Sequence, residues 1–452
     1  MKKLLSIGVT ICFALAATAM DRAHFLELNR QAAELRRQKD WPGLLKVMIE
    51  IGHEMPSSTP RYLLRMASVE MHLGHTSAAV KWMGQYASMG LTYDVASDDD
   101  LAPLVEEEAF KAVANKMKEN ANPIAKAELV CTLPLLDMMP EDLAFETPSI
   151  KIGKTFVMSS IRHHTLYRVS LPSARAKQCA IVEVPLPEDA KRWPTLAVSS
   201  DATRKVLWMT ASAMPGFGGF PKEDGGKSEL LAVDGKTGKV VRRFDPATGS
   251  AAVLGDMSVA HDGAVYVSDS IGGGVYRVRG EISNSKLEKI GEGLFSPQTP
   301  ALARDGKRLF IADYPMGIAV VNLGPKGEGQ ARKTYPTPTP AKVEYLRHPA
   351  KVAVTGLDGL YLYHDSLIGI QNGTEPARIV RFRLNHAQTE ILSAEVIEQS
   401  TDRLKEPTHV IEVDGWFYVT ANVGWDKIDD SGNLKPGQQF TFPTLLRFKD
   451  SR

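Results

Sequence analysis

Hydrophobic and polar residues alternate along most of the chain, from residue 141 to residue 452. The alternation comes in short runs, and the clearest ones turn at Asp262-Gly263 and at Asp305-Gly306. A third apolar run follows each of these pairs. Period-two alternation interrupted by Asp-Gly turns predicts antiparallel strands that are joined by tight hairpins.

The same phrase occurs six times at intervals of about 40 to 60 residues, which is the spacing of propeller blades. The copies begin near Glu141, Thr195, Asp256, Gln298, Asp358 and Glu406. The sequence therefore predicts a mainly β domain over residues 123–452, folded as a six-bladed β-propeller. The last copy offers only three strands, so we expect residues 127–133 to supply the fourth by pairing with the C-terminal strand.

Residues 20–122 carry a different pattern, with apolar residues three and four positions apart, which predicts an α-helical domain. Two helix pairs align at an offset of about 35 residues and place small residues, such as Ala67 and Ala79, where helices approach closely. This pattern resembles tetratricopeptide repeats. It implies either a groove for a protein partner or a helical cap packed on the propeller. A further amphipathic helix is predicted over residues 98–110.

The start of the chain has the features of a signal peptide over residues 1–19. Two lysines precede an apolar run at 4–16, and Ala17-Thr18-Ala19 provides a cleavage site before Met20. We therefore expect a periplasmic or secreted protein, and no later apolar run is long enough to predict a membrane span. In an oxidising compartment, Cys131 and Cys179 form a disulfide or remain two buried free cysteines.

Charge is nearly balanced, with a formal net charge of +1 and no long basic run, so nucleic acid is not an expected partner. The segment 325–340 has a proline at every second position near its end. Such spacing excludes a central strand and predicts an extended surface linker.

Polar residues open the innermost strand of each predicted blade, where side chains point into one mouth of the central channel. Four of the six openings are carboxylates, at Glu141, Asp256, Asp358 and Glu406. Two unit charges 4 Å apart repel by about 4 kcal/mol at an effective dielectric of 20, so such a ring requires compensation. A divalent ion, with calcium preferred, suits carboxylate and amide oxygens. Hydrogen bonds between neighbouring blades are the alternative.

These openings resemble those of the regucalcin and gluconolactonase family of calcium-dependent six-bladed propellers, over residues 140–450. In that family a divalent ion is held by a Glu opening the first blade, an Asn opening the fourth and an Asp-Gly pair opening the fifth. The resemblance implies Glu141, Gln298 and Asp358 as metal ligands, with Asp256 as a nearby polar residue. Gln298 departs from the family's Asn, and Pro-Glu-Asp replaces its Glu-Gly-Pro opening.

The resemblance also implies a hydrolase of a lactone or related ester, in which the ion polarises the carbonyl and positions a water. Asp358 is then the candidate catalytic base as well as a ligand, and a small molecule binds at the channel. The residues expected to shape this pocket are Thr195, Asp256, Glu406, Arg162, His163, His261, His409 and Asn422. The alternative is a non-catalytic propeller that binds a ligand or a protein, with the helical segment as an interaction module.

Overall fold

The structure is a computed structural model that describes residues 22–55, 57, 59–146, 154–171, 177–246, 249–323 and 343–449. The predicted signal peptide at 1–19 and the predicted linker at 325–340 lie outside these residues. Within them, a group of α-helices comes first, and the strands that follow form six sheets.

The helices are α1 (Arg22–Gln38), α2 (Trp41–Glu54), α3 (Pro60–His72), α4 (Thr76–Ser88) and α5 (Lys111–Asn120). Side-chain oxygens of Asp40 and Thr59 accept backbone N–H groups at the starts of α2 and α3. The apolar faces share one core, which includes Met48, Leu63 and Met83. The predicted helical segment is present, and its kinship with tetratricopeptide repeats stays a prediction. None of the helices in the described chain is both long and apolar enough to cross a membrane.

The prediction of a helix over residues 98–110 is wrong. That stretch forms two short 3-10 helices, Ala102–Glu106 and Glu108–Phe110. Asp98 Oδ1 accepts the backbone N–H groups two and three residues later, at 3.0 and 3.2 Å. This local turn competes with helical hydrogen bonding, because the aspartate side chain takes donors that a helix would leave to its backbone.

Each of the six sheets is one antiparallel blade, which confirms the predicted six-bladed propeller. The first two blades are β3 (Leu143–Glu146), β4 (Thr155–Ser160), β5 (Thr165–Ser170) and β6 (Ala180–Glu183), then β7 (Thr195–Asp201), β8 (Val206–Ser212), β9 (Ser228–Asp234) and β10 (Val240–Phe244). The next two are β11 (Leu254–Val259), β12 (Val265–Asp269), β13 (Val275–Val278) and β14 (Glu288–Gly291), then β15 (Pro297–Leu302), β16 (Arg308–Asp313), β17 (Gly317–Asn322) and β18 (Glu344–Tyr345). The fifth blade is β19 (Leu357–Tyr363), β20 (Ser366–Gln371), β21 (Arg378–Leu384) and β22 (Ile391–Gln399), with β1 (Ile124–Ala125) at its outer edge. The sixth is β23 (Val410–Val413), β24 (Trp416–Ala421), β25 (Thr444–Lys449) and β2 (Glu128–Thr132).

The ring closes as the sequence predicts. Strand β2 pairs antiparallel with β25, and Glu128 lies opposite Arg447. A disulfide joins Cys131 on β2 to Cys179 beside β6, so of the two alternatives for the cysteines the structure shows the disulfide. Cys179 N–H also donates to Thr132 O at 3.1 Å. The closing blade is therefore tied to the first blade covalently as well as by hydrogen bonds.

The helical segment packs on the propeller. Arg378 of β21 is only 3% exposed and donates from Nη1 to Met89 O and Gly90 O, both at 3.2 Å. Phe25 of α1 packs edge-on against Phe295 before β15, with ring centroids 5.1 Å apart. These contacts favour the helical cap among the two interpretations of the segment, and a partner-binding role for it stays a prediction.

Candidate functional site

The innermost strands change register at the end where they open into the channel. Pairing is irregular between Thr195 and Val198, Leu254 and Asp256, Pro297 and Pro300, and Leu357 and Leu360. Bulges of this kind re-aim side chains that strict alternation would place on opposite faces of the blade. Two successive residues of one strand then both reach the channel, as Gln298 and Thr299 do.

A cavity of about 430 Å³ occupies the mouth of the channel, and we call it the mouth cavity. Its lining residues are Glu141, Ser296, Gln298, Tyr314, Asp358, Asn372, Glu406, Trp425 and Asp426. The three predicted metal ligands, Glu141, Gln298 and Asp358, therefore lie in one cavity. The predicted pocket residue Glu406 lies in it as well.

Neighbouring groups orient two of the carboxylates. Asn372 donates from Nδ2 to Asp358 Oδ2 at 2.7 Å, and Tyr314 holds Asn372 by donating its hydroxyl to Oδ1 at 3.0 Å. Trp425 donates its indole N–H to Glu141 Oε2 at 2.7 Å. No other group of the described chain donates to these two carboxylates. Each of them thus keeps one oxygen for a ligand.

The amide of Gln298 is oriented in the same way. Its Nε2 donates to Ser296 O at 3.3 Å and to Ser296 Oγ at 3.0 Å, which leaves the amide oxygen for a ligand. The residue that follows Asp358 is a glycine because there is no space for a side chain at position 359. A Cβ at position 359 would lie 2.7 Å from Thr408 O, so any larger residue would push the fifth blade away from the sixth.

Burial and mutual repulsion shift the carboxyl groups of the mouth cavity toward their protonated forms. Burial raises the pKa of Glu141 well above its ordinary value, and the charge of Asp358 raises it further. Burial raises the pKa of Asp358 to about 7, with Asp256 acting in the same direction. The pKa of Glu406 is also raised by burial. A cation in the cavity would oppose these shifts, because it stabilises ionised carboxylates.

A second polar group lies deeper in the channel. It consists of Asp142, Asp256, Thr299 and His409, all buried, and we call it the lower layer. His409 lies between the two carboxylates, with Nε2 3.1 Å from Asp142 Oδ1 and Nδ1 3.7 Å from Asp256 Oδ2. The single O–H of Thr299 is shared between Asp256 Oδ2 and, at 2.9 Å, Asp358 O. The lower layer therefore links inner strands of four blades.

Backbone groups complete the lower layer. Asp142 accepts from Val198 N–H at 2.8 Å and from Leu143 N–H at 2.6 Å. Asp256 accepts from Met257 N–H at 2.8 Å. Both oxygens of each carboxylate consequently have a partner within the protein.

Asp142, Asp256 and His409 bring ligand-type atoms within 4.8 Å of one another, close enough to share a metal ion. The imidazole itself can offset part of the carboxylate charge. Burial opposes its protonation, but the charges of Asp142 and Asp256 prevail and raise the pKa of His409 to about 9. Burial raises the pKa of Asp142 to about 7, against the attraction of His409. When it is protonated, His409 offsets one of the two negative charges of the lower layer without an ion.

The lower layer separates the mouth cavity from a second cavity of about 370 Å³ at the other end of the channel, the opposite cavity. Only about 10 Å³ of open space lies between the lower layer and the mouth cavity. The opposite cavity is lined largely by apolar residues such as Met257 and Leu360, and the predicted pocket residue His261 lies there. His261 is therefore on the far side of the lower layer from Asp358.

Four other predicted pocket residues do not line the mouth cavity. Arg162 donates to Gly432 O at 2.8 Å in the surrounding loops, and His163 contacts Tyr167 OH at 2.9 Å. Thr195 Oγ1 and Asn422 Oδ1 are buried and have no hydrogen-bond partner in the described chain. The second blade contributes the Val198 N–H group to the lower layer, and Arg162 and His163 lie in the turn between β4 and β5.

The strand pattern indicates one residue per blade, so it did not reveal Asp142, Tyr314, Asn372 or Trp425. Asp142 had a sequence signal, since it directly follows Glu141 in the opening of the first blade. The other three residues come from loops that follow the second strands of the fourth, fifth and sixth blades. Their approach to the channel depends on packing between blades, which alternation does not report.

Loops of the second and sixth blades pack together beside Trp425. Gly218 N–H donates to Ser431 O at 2.8 Å, and a Cβ at Gly432 would lie 2.7 Å from the Phe217 ring. The rings of Phe217 and Trp425 are 6.3 Å apart between centroids. The indole that orients Glu141 is thus supported by a loop of the second blade.

No protein-family profile and no curated protein matches the chain. Among solved structures, it is similar to a putative oxidoreductase (glucose dehydrogenase) from Thermus thermophilus, with 16% identity and a TM-score of 0.45 over 71% of this chain and 99% of that one. It is similar to the calcium-binding protein regucalcin from Agrobacterium tumefaciens, with 14% identity and a TM-score of 0.44 over 72% and 96%. It is also similar to a luciferin-regenerating enzyme, with 14% identity and a TM-score of 0.42 over 72% of this chain and 95% of that one. The six sheets themselves establish the propeller, and the function has to be argued from the site.

Proposed function

We propose that the protein is an exported, calcium-dependent hydrolase of a lactone or related ester, with its active site in the mouth cavity. One observation carries this proposal. Glu141, Gln298 and Asp358 come from three different blades and line one cavity with oxygen atoms that other groups of the described chain leave unengaged.

The donor set fits a hard divalent cation. Two carboxylates and one amide oxygen match the oxygen ligands that calcium takes, and Glu406 and Asp426 add negative charge at the rim. Zinc prefers cysteine and histidine ligands, and neither type lines the mouth cavity. The raised pKa values of Glu141 and Asp358 point the same way, because a cation is the partner that these buried carboxylates lack.

The geometry around Asp358 suits a general base. When bound, the cation would polarise an ester carbonyl and lower the pKa of a nearby water. Asn372 holds one carboxylate oxygen of Asp358, and Tyr314 holds Asn372, so the other oxygen keeps a fixed direction for accepting a proton. The volume of about 430 Å³ suits a small molecule and excludes a folded polymer.

Export is part of the proposal and has its own support. Disulfides such as Cys131–Cys179 persist in oxidising compartments, and the predicted signal peptide would deliver the protein to such a compartment. Mass spectrometry of protein recovered from the periplasm or medium should find a mature chain beginning at or near Met20. A chain that retains residue 1 in these fractions would contradict export by cleavage.

The test combines metal binding and turnover on the same samples. Isothermal titration with calcium should give one saturable site in the wild type, and a panel of lactones and aryl esters should be hydrolysed only in the presence of metal. Asp358→Asn should lose both properties. The matched control is Asp305→Asn, which changes an exposed carboxylate in the β15–β16 hairpin and should change neither.

The outcomes separate the hydrolase from its main alternative. Absence of binding for calcium, magnesium, manganese and zinc would overturn the metal site. Calcium binding that requires Asp358, without turnover of any lactone or ester, would replace the hydrolase by a ligand-binding propeller. In that case the helical segment becomes the candidate interaction module for a protein partner.

A further inference from the structure

A second polar cavity lies on the fifth blade, at the ends of the strands remote from the mouth. Its volume is about 510 Å³, and its wall contains Arg304, Arg381, Arg383, His364 and His386 together with Asp365. We call it the arginine pocket. Arg304 comes from the β15–β16 hairpin, and the others come from β21 and from the two turns that follow β19 and β21. Three guanidinium groups therefore converge from two blades.

The deepest of these groups is held within the blade. Arg381 is 4% exposed, and its Nη1 lies 3.4 Å from Glu395 Oε2 on β22. Glu395 also pairs with Lys126 at 2.8 Å. Burial lowers the pKa of the Arg381 guanidinium and the charge of Arg383 lowers it further, against the attraction of Glu395. The pocket thus has a positive group fixed at its floor, and Arg383 beside it is exposed.

Arg304 is held in the wall of the pocket by His364. Arg304 Nη2 lies 3.3 Å from His364 Nδ1, and a guanidinium has no acceptor. His364 therefore accepts a hydrogen bond from Arg304 at Nδ1. Among the described residues that line the pocket, Arg304, Arg381 and Arg383 are positive and Asp365 is negative, an excess of two positive charges. Beside the pocket, Glu395 pairs with Lys126 as well as with Arg381.

We propose that the arginine pocket binds a phosphate monoester group of a small ligand. Planar guanidinium groups match the oxygens of a phosphate in a way that ammonium groups do not, and a dianion would balance the excess charge. Tyr363 also lines the pocket and offers an aromatic surface to the rest of the ligand. The site shares no lining residue with the mouth cavity, so it does not depend on the proposed hydrolase activity.

Calorimetric titration with inorganic phosphate and with phenyl phosphate, in a chelator-containing buffer of low ionic strength, tests the proposal. Both probes should saturate one site, and phenyl phosphate should bind more tightly. Arg383→Gln should weaken binding about tenfold or more, because it removes a charge-assisted hydrogen bond. The affinity of Arg383→Lys for phosphate should lie between those of the wild type and Arg383→Gln, since lysine keeps the charge but cannot form two parallel hydrogen bonds.

The matched control is Arg347→Gln. Arg347 is an arginine with a side chain 77% exposed that pairs with Glu390 outside the pocket, so its loss should leave phosphate binding unchanged. Sedimentation with phosphatidylcholine vesicles, with and without phosphatidic acid, separates the two sources of the group. Recruitment that needs both phosphatidic acid and Arg383 indicates a lipid headgroup, and saturable binding of phenyl phosphate alone indicates a soluble ligand. Binding that does not saturate, or that is equal in Arg383→Gln and the wild type, overturns the proposal.

Discussion

Glu141 and Asp142 are neighbours in the chain, yet the channel gives them opposite surroundings. Asp142 accepts two backbone N–H groups and contacts His409, whereas Glu141 accepts one indole N–H and otherwise lines the mouth cavity. The same contrast separates Asp256 from Asp358. Both of the deeper carboxylates have partners on each oxygen, and both of the outer ones keep an oxygen unengaged within the described chain.

The difference shows how one ring of acidic residues serves two purposes. Burying a carboxylate is costly unless hydrogen bonds and an opposite charge compensate it. In the lower layer the protein supplies that compensation itself, so the carboxylates join the blades. In the mouth cavity the compensation is incomplete, and this is the condition under which a bound cation lowers the free energy of the folded protein.

The largest expected effect comes from Asp142→Asn in the lower layer. The change removes the nearer of the two charged partners of His409 and turns an NH2 group toward one of the two backbone N–H groups that donate to Asp142. Breaking a buried charge pair in this way should lower the free energy of unfolding by about 3–5 kcal/mol. Urea denaturation at pH 7 with chelator present measures this loss. A loss below about 1 kcal/mol would mean that the lower layer does not join the blades.

The matched change one residue earlier, Glu141→Gln, should behave differently. Without metal it should leave the protein as stable as the wild type or more so, because it removes a repelling charge from the mouth cavity. Calcium at 100 times its dissociation constant should stabilise the wild type by about 2.7 kcal/mol and Glu141→Gln much less. Melting curves with calcium and with chelator give both values. A calcium response that survives Glu141→Gln but disappears in Asp142→Asn would move the metal to the lower layer.

A third effect separates the two groups by pH. The pKa of His409 in the folded protein is about 9, above its ordinary value of 6.5, so its contribution is complete below pH 6.5 and is lost as pH rises through 9. Between pH 7 and pH 9 the wild type should lose about 2 kcal/mol in chelator. The pKa values of Asp358 and Asp142 are also raised, to about 7, so these two groups make the folded protein less stable as the pH rises from about 4 to 7.

His409→Gln is the control for this pH dependence, since it lacks the titrating imidazole. Between pH 7 and pH 9 its free energy of unfolding should lose the part of the slope that His409 causes, and any slope that remains comes from Asp142, whose pKa rises further without the imidazole. The variant should also be less stable than the wild type at pH 7. Equal slopes for the wild type and the variant over this interval would show that His409 does not carry a proton between the two carboxylates.

The fold was predictable from the sequence because its signals are local. Asp-Gly turns and period-two alternation give the hairpins, and the missing strand of the last blade gives the closure by residues 127–133. The helix predicted over 98–110 failed where Asp98 captures backbone donors. In the site, Glu141, Gln298 and Asp358 could be found because they open strands. The orienting residues Asn372 and Trp425 could not, because their loops reach the channel only through contacts between blades.

The smallest effect we expect is at Gln298, whose amide is the one neutral side chain among the three proposed ligands. Gln298→Glu keeps the length of the side chain and adds one charge to a cavity that is open to water. Unit charges 4 Å apart interact by about 1 kcal/mol in water, so without metal the variant should be less stable by about that amount. Because the added charge attracts the cation, calcium should bind about fivefold more tightly, and titration calorimetry measures this change. Asp305→Asn provides the baseline for a charge change outside the channel. If Gln298→Glu weakens calcium binding, the amide oxygen is not a ligand, and the cation is held by Glu141 and Asp358 without the fourth blade.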